Sequence, residues 1–150
     1  MQGVSKISSE QDVMLISFTD VNINTFPLSS ALSDFAVSGV VVDMICQSAP
    51  RKEEIDYSFT TSYSYFATVL KTIAKYKAPV PLISSGYTKI NLYGEDMVTT
   101  CGVAAMALKA LSEVQISIFM ITTSDLDISL LIREEDEDTA ITSLKKAFSL

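Results

Sequence analysis

The apolar positions of this chain change period several times, and each change predicts an element. Val13 to Phe18 is a short apolar run with β-branched content and polar flanks, which reads as a buried strand. TDVNINTFPLSS reads as a loop, with Pro27 suited to the first turn of a helix, where no N–H is needed. Leu28, Ala31, Leu32 and Phe35 then recur at helical spacing, and Gly39 is placed to end that helix. Val40 to Gln47 (VVVDMICQ) is almost continuously apolar, which predicts a strand buried on both faces. After the charged turn SAPRKEE, Ile55, Tyr57 and Phe59 alternate with Asp56, Ser58 and Thr60, the mark of a half-buried strand. Tyr65, Phe66, Val69, Leu70 and Ile73 form a helical stripe. Lys71, Lys75 and Lys77 follow at its negative end, Pro79 stops it, and Val80 to Ser84 reads as a strand.

The pattern then starts again. Thr88, Ile90 and Leu92 alternate with Tyr87, Lys89, Asn91 and Tyr93. Val103, Met106, Ala107, Ala110 and Leu111 share a helix face. Gln115–Thr122 and Leu126–Ile132 read as strands joined by a tight turn around Thr122–Asp125. The acidic run Glu134–Asp138 precedes a helix carrying Ile141, Leu144, Ala147 and Phe148, with Lys145 and Lys146 near its end, matching the helix macrodipole. A solvated helix N-terminus accounts for that run more simply than a metal site.

The order strand, helix, strand, strand, helix, strand therefore opens twice, a repeat of roughly 75 residues and too long for a solenoid unit. The expected class is α+β: two ferredoxin-like βαββαβ modules, 10–85 and 86–150, each an antiparallel sheet with its helices on one face. The second copy has no strand after Phe148. The segment Gly3–Ser8 is expected to supply it from the N-terminus.

Composition narrows the chemistry. A formal charge of −7 argues against nucleic acid and against docking on an anionic membrane. The absence of histidine excludes Cys–His and Ser–His–Asp catalysis. Cys46 and Cys101 do not form a disulfide framework, and their apolar surroundings suggest reduced, largely buried thiols. No run is apolar for the ~20 residues of a membrane helix, and MQGVSKISSEQ lacks the apolar core of a secretory signal, so a cytoplasmic setting is expected. Neither a metal nor a cofactor is implied.

Particular residues carry a family resemblance. Gly94, Met97, Gly102, Val103, Ala104 and Ala105, then Ile121, Thr122, Thr123, Ser124 and Asp125, then ISLLIREEDED, resemble the second ACT module of aspartokinase regulatory regions. VVVDMICQ resembles the Asp-Met-Ile/Val-x-Gln run of the first module, so the likeness covers nearly the whole chain. It implies a non-catalytic amino-acid-binding unit for allosteric feedback on aspartate phosphorylation. Lysine or threonine is the implied effector, bound at a module interface. A homodimer through the ACT modules, with an aspartokinase catalytic domain or subunit as partner, is implied as well. Carried over by position, the effector-binding candidates are Asp20, Asp43 and Gln47 in the first module and Met97, Gly102, Val103, Ser117, Ile118 and Thr123 in the second.

Physical chemistry supports the loop independently. Free N–H groups where a helix starts at Val103 suit an amino-acid carboxylate, and Gly102 permits close approach. Plainer roles stand beside these. Gly102 can serve only to start a helix, Asp43 and Gln47 can satisfy local backbone, and Thr122–Ser124 can cap a turn. Two other functions stay open: a dimerisation module without a ligand, and an acylphosphatase-like enzyme. The enzyme would need a positioned arginine, and the chain has only Arg51 and Arg133.

Overall fold

The structure, a computed structural model, describes residues 3–24, 28–76 and 80–150. The expectations resting on Pro27, Lys77 and Pro79 lie outside the described residues. The elements are β1 (Lys6–Asn22), α1 (Leu28–Val37), β2 (Val42–Gln47), β3 (Glu54–Ser62), α2 (Phe66–Ile73), β4 (Leu82–Tyr93), α3 (Val103–Glu113), β5 (Met120–Thr123), β6 (Asp127–Arg133) and α4 (Glu137–Phe148). They form two compact units, Asp12–Ser85, and Met1–Gln11 with Gly86–Leu150.

Two long strands replace four short ones. Of the expected strand Gly3–Ser8 only the part from Lys6 joins Val13–Phe18 in β1, and of Val80–Ser84 only the part from Leu82 joins Tyr87–Tyr93 in β4. Polar residues between the apolar runs hid the continuity, because a ladder needs backbone groups rather than apolar side chains. Near each interruption one residue turns left-handed, Asp12 at φ 55° and Gly86 at φ 82°. These are the points where the chain passes from one unit to the other.

In the Asp12–Ser85 unit the strand order is β2-β3-β1. Met14, Ile16 and Phe18 of β1 and Ile55, Tyr57 and Phe59 of β3 build a core with Ala31 and Phe35 of α1 and Val69 of α2. Phe18 stacks on Tyr57 at 5.0 Å, and Phe35 meets Phe59 edge-on at 5.3 Å. Gly39, at φ 79°, ends α1 as expected, and the Val40 N–H donates back to the Phe35 carbonyl. Two bulges matter below. The β1–β3 register slips between Phe18 and Val21, and the β2–β3 register slips between Val42 and Ile45. Each inserts one extra residue and re-aims its neighbours.

VVVDMICQ is not buried on both faces. It forms the outer strand of this order, and Val41 and Ile45 are 66% and 43% exposed, while only Val40 and Met44 are buried. Continuous apolarity could not distinguish a central strand from an outer one. Nor are the thiols buried, since Cys46 and Cys101 are both exposed.

In the unit of Met1–Gln11 and Gly86–Leu150 the order is β1-β4-β6-β5. The N-terminal strand thus completes the second module. β4 and β6 pair without interruption from Tyr87↔Arg133 to Tyr93↔Asp127. Alternate residues Ile90 and Leu92 on β4, and Ile128, Leu130 and Ile132 on β6, pack under Ala107, Ala110 and Leu111 of α3 and Ala140, Leu144 and Phe148 of α4. Each large side chain fully buried there stabilises the fold by about 1.5–3 kcal/mol. The Ser143 hydroxyl donates to the Ala110 carbonyl at 2.9 Å, pinning α4 to α3.

The expected strand Gln115–Thr122 begins late, at Met120. Gln115 at φ 58° reverses the chain, and the Ile116 N–H donates to Leu111 at the end of α3. Among the described residues no helix is long and apolar enough to cross a membrane. Nor do the described residues gather three or more metal-ligating side chains.

Candidate functional site

The most built feature is the loop between β4 and α3. It opens at buried Gly94, whose N–H donates to the Leu126 carbonyl at 2.9 Å. Glu95–Val98 then coil into a single 3-10 turn. The Thr99 N–H and the Thr100 hydroxyl both return to the Asp96 carbonyl, at 3.1 and 2.7 Å. These bonds hold the loop closed on itself. It ends at Gly102, left-handed at φ 85°, immediately before α3.

That φ is what demands glycine, and no atom lies within 4 Å of where a side chain would start. Both readings of Gly102 therefore have a basis: the helix start needs the conformation, and the space before it is open. No side chain caps α3, so its first N–H groups have neither intrahelical nor side-chain acceptors. Beside the loop a recess of about 460 Å³ is lined by Gly3, Val4, Ser5, Tyr93, Gly94, Glu95 and Asp96. Glu95 and Asp96 bring two carboxylates to this recess.

The other expected residues are spread more widely. Met97 is half-buried and, with Ile118, packs against the same core that buries Val103. Ser117 is exposed in the approach to β5, outside the strand expected to hold it, as is Ile118. Thr123 is exposed at the end of β5, opposite Ile128.

In the Asp12–Ser85 unit, Asp20 occupies the β1 bulge at φ 52°, and its N–H donates to Asp56 Oδ1 at 2.8 Å. Its carboxylate pairs with Arg51 at 3.0 Å. Arg51 also grips Asp56 at 2.9 Å, and that contact, together with the Asp20 N–H, holds the Asp56 carboxyl below the usual range. Gln47 is exposed opposite Tyr57, next to Ser48, whose hydroxyl accepts from the Asp56 N–H. Gln47 and Asp20 thus lie toward one end of this unit. Asp43 lies in the β2 bulge near the other, beside Met44, whose N–H donates to Thr60 Oγ1.

Arg51 is tied to Asp20 and Asp56, and the Arg133 guanidinium lies 4.8 Å from the ring centres of both Tyr87 and Phe119.

Sequence reasoning missed Glu137. It was grouped with a solvated acidic run, but it is buried, and it accepts hydrogen bonds from Ser9 at 2.6 Å, Gln11 at 2.7 Å and Thr88 at 3.4 Å. The bond from Ser9, with those from Gln11 and Thr88, holds its carboxyl below the ordinary value against the opposing effect of burial. Its partners are remote in sequence, so no local pattern separates it from Glu134 or Glu135. The tight approach of Gly3 to Gly94 was likewise unforeseen, although Gly94 stood in the family pattern.

Residues 90–148 match the family described as ACT domain. The chain is 29% identical to the aspartokinase of Corynebacterium glutamicum over 156 aligned residues, covering all of this chain and 36% of that protein. It therefore spans about a third of the length of the curated relatives it matches. A chain from the crystal structure of aspartokinase alpha and beta subunits superposes with a TM-score of 0.88 at 27% identity, covering 98% of this chain and 99% of that one. The ligand-free regulatory subunit of aspartate kinase from Thermus thermophilus gives 0.85 at 23% identity, covering 97% and 99%. E. coli aspartokinase III in complex with lysine and aspartate shares the fold at 0.73 and 18% identity, covering 97% of this chain and 33% of that one. Residues 90–148 are thus similar to an ACT domain, and the chain over nearly its whole length is similar to a part of aspartokinases about a third of their length.

Proposed function

We propose that this chain, an ACT-domain protein of the aspartokinase regulatory type, binds free lysine or threonine and relays its level to an aspartate-phosphorylating partner. The chain itself does no chemistry; it shifts the partner by binding the effector more tightly in one arrangement than in another. Coupling of about 1–3 kcal/mol is sufficient for feedback. The working form is a homodimer through its ACT modules, associated with the catalytic domain or subunit in the cytoplasm.

The observation that carries this reading is the closed loop Gly94–Gly102 running into an uncapped α3 beside a recess with two carboxylates. In it the first amides of α3, at Val103, take the effector's carboxylate, Glu95 or Asp96 takes its ammonium, and Met97 supplies an apolar wall. Ser117, Ile118 and Thr123 are the further contacts of the second module, and Asp20, Asp43 and Gln47 those of the first. The lysine complex of the E. coli neighbour supports lysine as the first effector to try.

A second reading, a dimerisation module without ligand, draws on Asp20, whose carboxylate is already paired with Arg51. A thermal-stability scan against single amino acids separates the two. An effector at ~100 times its dissociation constant adds about 2.7 kcal/mol, a rise of roughly 5–10 °C for a chain of this size. No shift with any amino acid, in a protein that still dimerises, rejects the sensor and favours the second reading.

A further inference from the structure

We propose that Gly3 and Gly94 form a backbone contact that positions the ligand loop of the second module and reports its occupancy to the N-terminal strand. This deepens, and rests on, the proposed amino-acid binding at Gly94–Val103.

The contact leaves no slack. A Cβ on Gly94 would lie 1.8 Å from the Gly3 carbonyl oxygen and 3.0 Å from the Val4 Cα, so backbone meets backbone, with no flexible side chain to yield. On its other side Gly3, at φ 76°, leaves a would-be Cβ 2.6 Å from Val103 Cγ2 and 3.3 Å from Thr100 Cβ. Gly3 is therefore lodged between the entry of the loop, at Gly94, and its exit, at Thr100 and Val103. Ser5 fastens the segment two residues on: its N–H donates to the Tyr93 carbonyl at 2.8 Å, and its hydroxyl reaches the same oxygen at 3.3 Å.

A ligand that moves Val103 relative to Gly94 must move Gly3 or be resisted by it. Close-packed contacts transmit small displacements instead of absorbing them. The same chain segment walls the recess, through Gly3, Val4 and Ser5. Gly3 and Gly94 are thus positioning residues: they act on the ligand through the loop, and the readout is the seating of Ser5.

The test is amide hydrogen exchange at Ser5, with and without free lysine or free threonine, alongside thermal shift. In the unaltered chain a bound amino acid should raise melting temperature and slow Ser5 exchange by roughly five-fold or more, the lower end of typical coupling. Gly94→Ala should speed Ser5 exchange without ligand and raise the concentration needed for half the thermal shift by a similar factor. Gly39→Ala is the control, since it imposes left-handed strain in open space in the other unit and should do neither. A thermal shift with Ser5 exchange unchanged overturns the coupling and leaves the sensor intact. Absence of any thermal shift removes the sensor and this proposal together. A folded Gly94→Ala protein with unaltered Ser5 exchange also overturns it. If that variant does not fold, the exchange of the unaltered chain decides.

Discussion

Replacing Glu137 with alanine tests whether one buried carboxylate holds the N-terminal strand in the second module. The bonds from Ser9 at 2.6 Å and Gln11 at 2.7 Å are short and charge-assisted, each worth about 1.5–3 kcal/mol. Both donors belong to exposed residues and recover bonds to water once freed, so the low end applies to them. Thr88 is fully buried, and its weaker contact at 3.4 Å adds little while present. Glu137→Ala should therefore cost about 2–4 kcal/mol, and Glu137→Gln about half as much.

In urea, with a slope of ~2 kcal/mol per molar, the alanine variant should unfold about 1–2 M earlier. The loss should be shared with Ser9: in a Ser9→Ala/Glu137→Ala cycle the coupling should reach about 1 kcal/mol. The sign with pH follows from the direction of the shift. The folded carboxyl titrates below its unfolded value of about 4.3, so its contribution is complete above that pH and is lost as pH falls through the folded value. The gap between wild type and Glu137→Gln should accordingly be widest near neutrality and narrow as pH falls through the folded value. An alanine variant within about 0.5 kcal/mol of wild type, or a gap that persists in acid, would refute the reasoning.

Two further outcomes are expected. Leu144 is fully buried between α4 and the sheet, so Leu144→Ala should cost about 2–5 kcal/mol in urea unfolding. Gly102→Val puts a β-branched side chain at φ 85°. It should cost roughly 1–2 kcal/mol and abolish any amino-acid thermal shift; a retained shift would remove this loop from the site.

The sequence carried the architecture where the side-chain period was clean. Ile90 and Leu92 alternate with Lys89 and Asn91, and β4 buries the first pair and leaves the second only partly covered. The helix stripes at Ala107–Leu111 and Ala140–Phe148 likewise lie in the core. Exposure was harder to read. Val41 and Ile45 look like core residues until strand order puts β2 on the outside. Bulges escaped as well, because the extra residue at Asp20 or Asp43 is defined by the partner strand and leaves no local trace. At the candidate site, Gly102 could be identified by type, but Gly3 against Gly94 could not. Their meeting depends on a segment returning from the far end of the sequence.

That return has a consequence during synthesis. Ser9 and Glu137 stand 128 positions apart, so at about 5–20 residues per second the donor is made roughly 6–26 s before its acceptor. Until β4 has been made, the N-terminal part of β1 has an open edge and lacks its neighbour in this unit, a condition that invites stray pairing with another chain. Lys6, Glu10 and Asp12 along it supply charge at the stage when it most needs to stay unpaired.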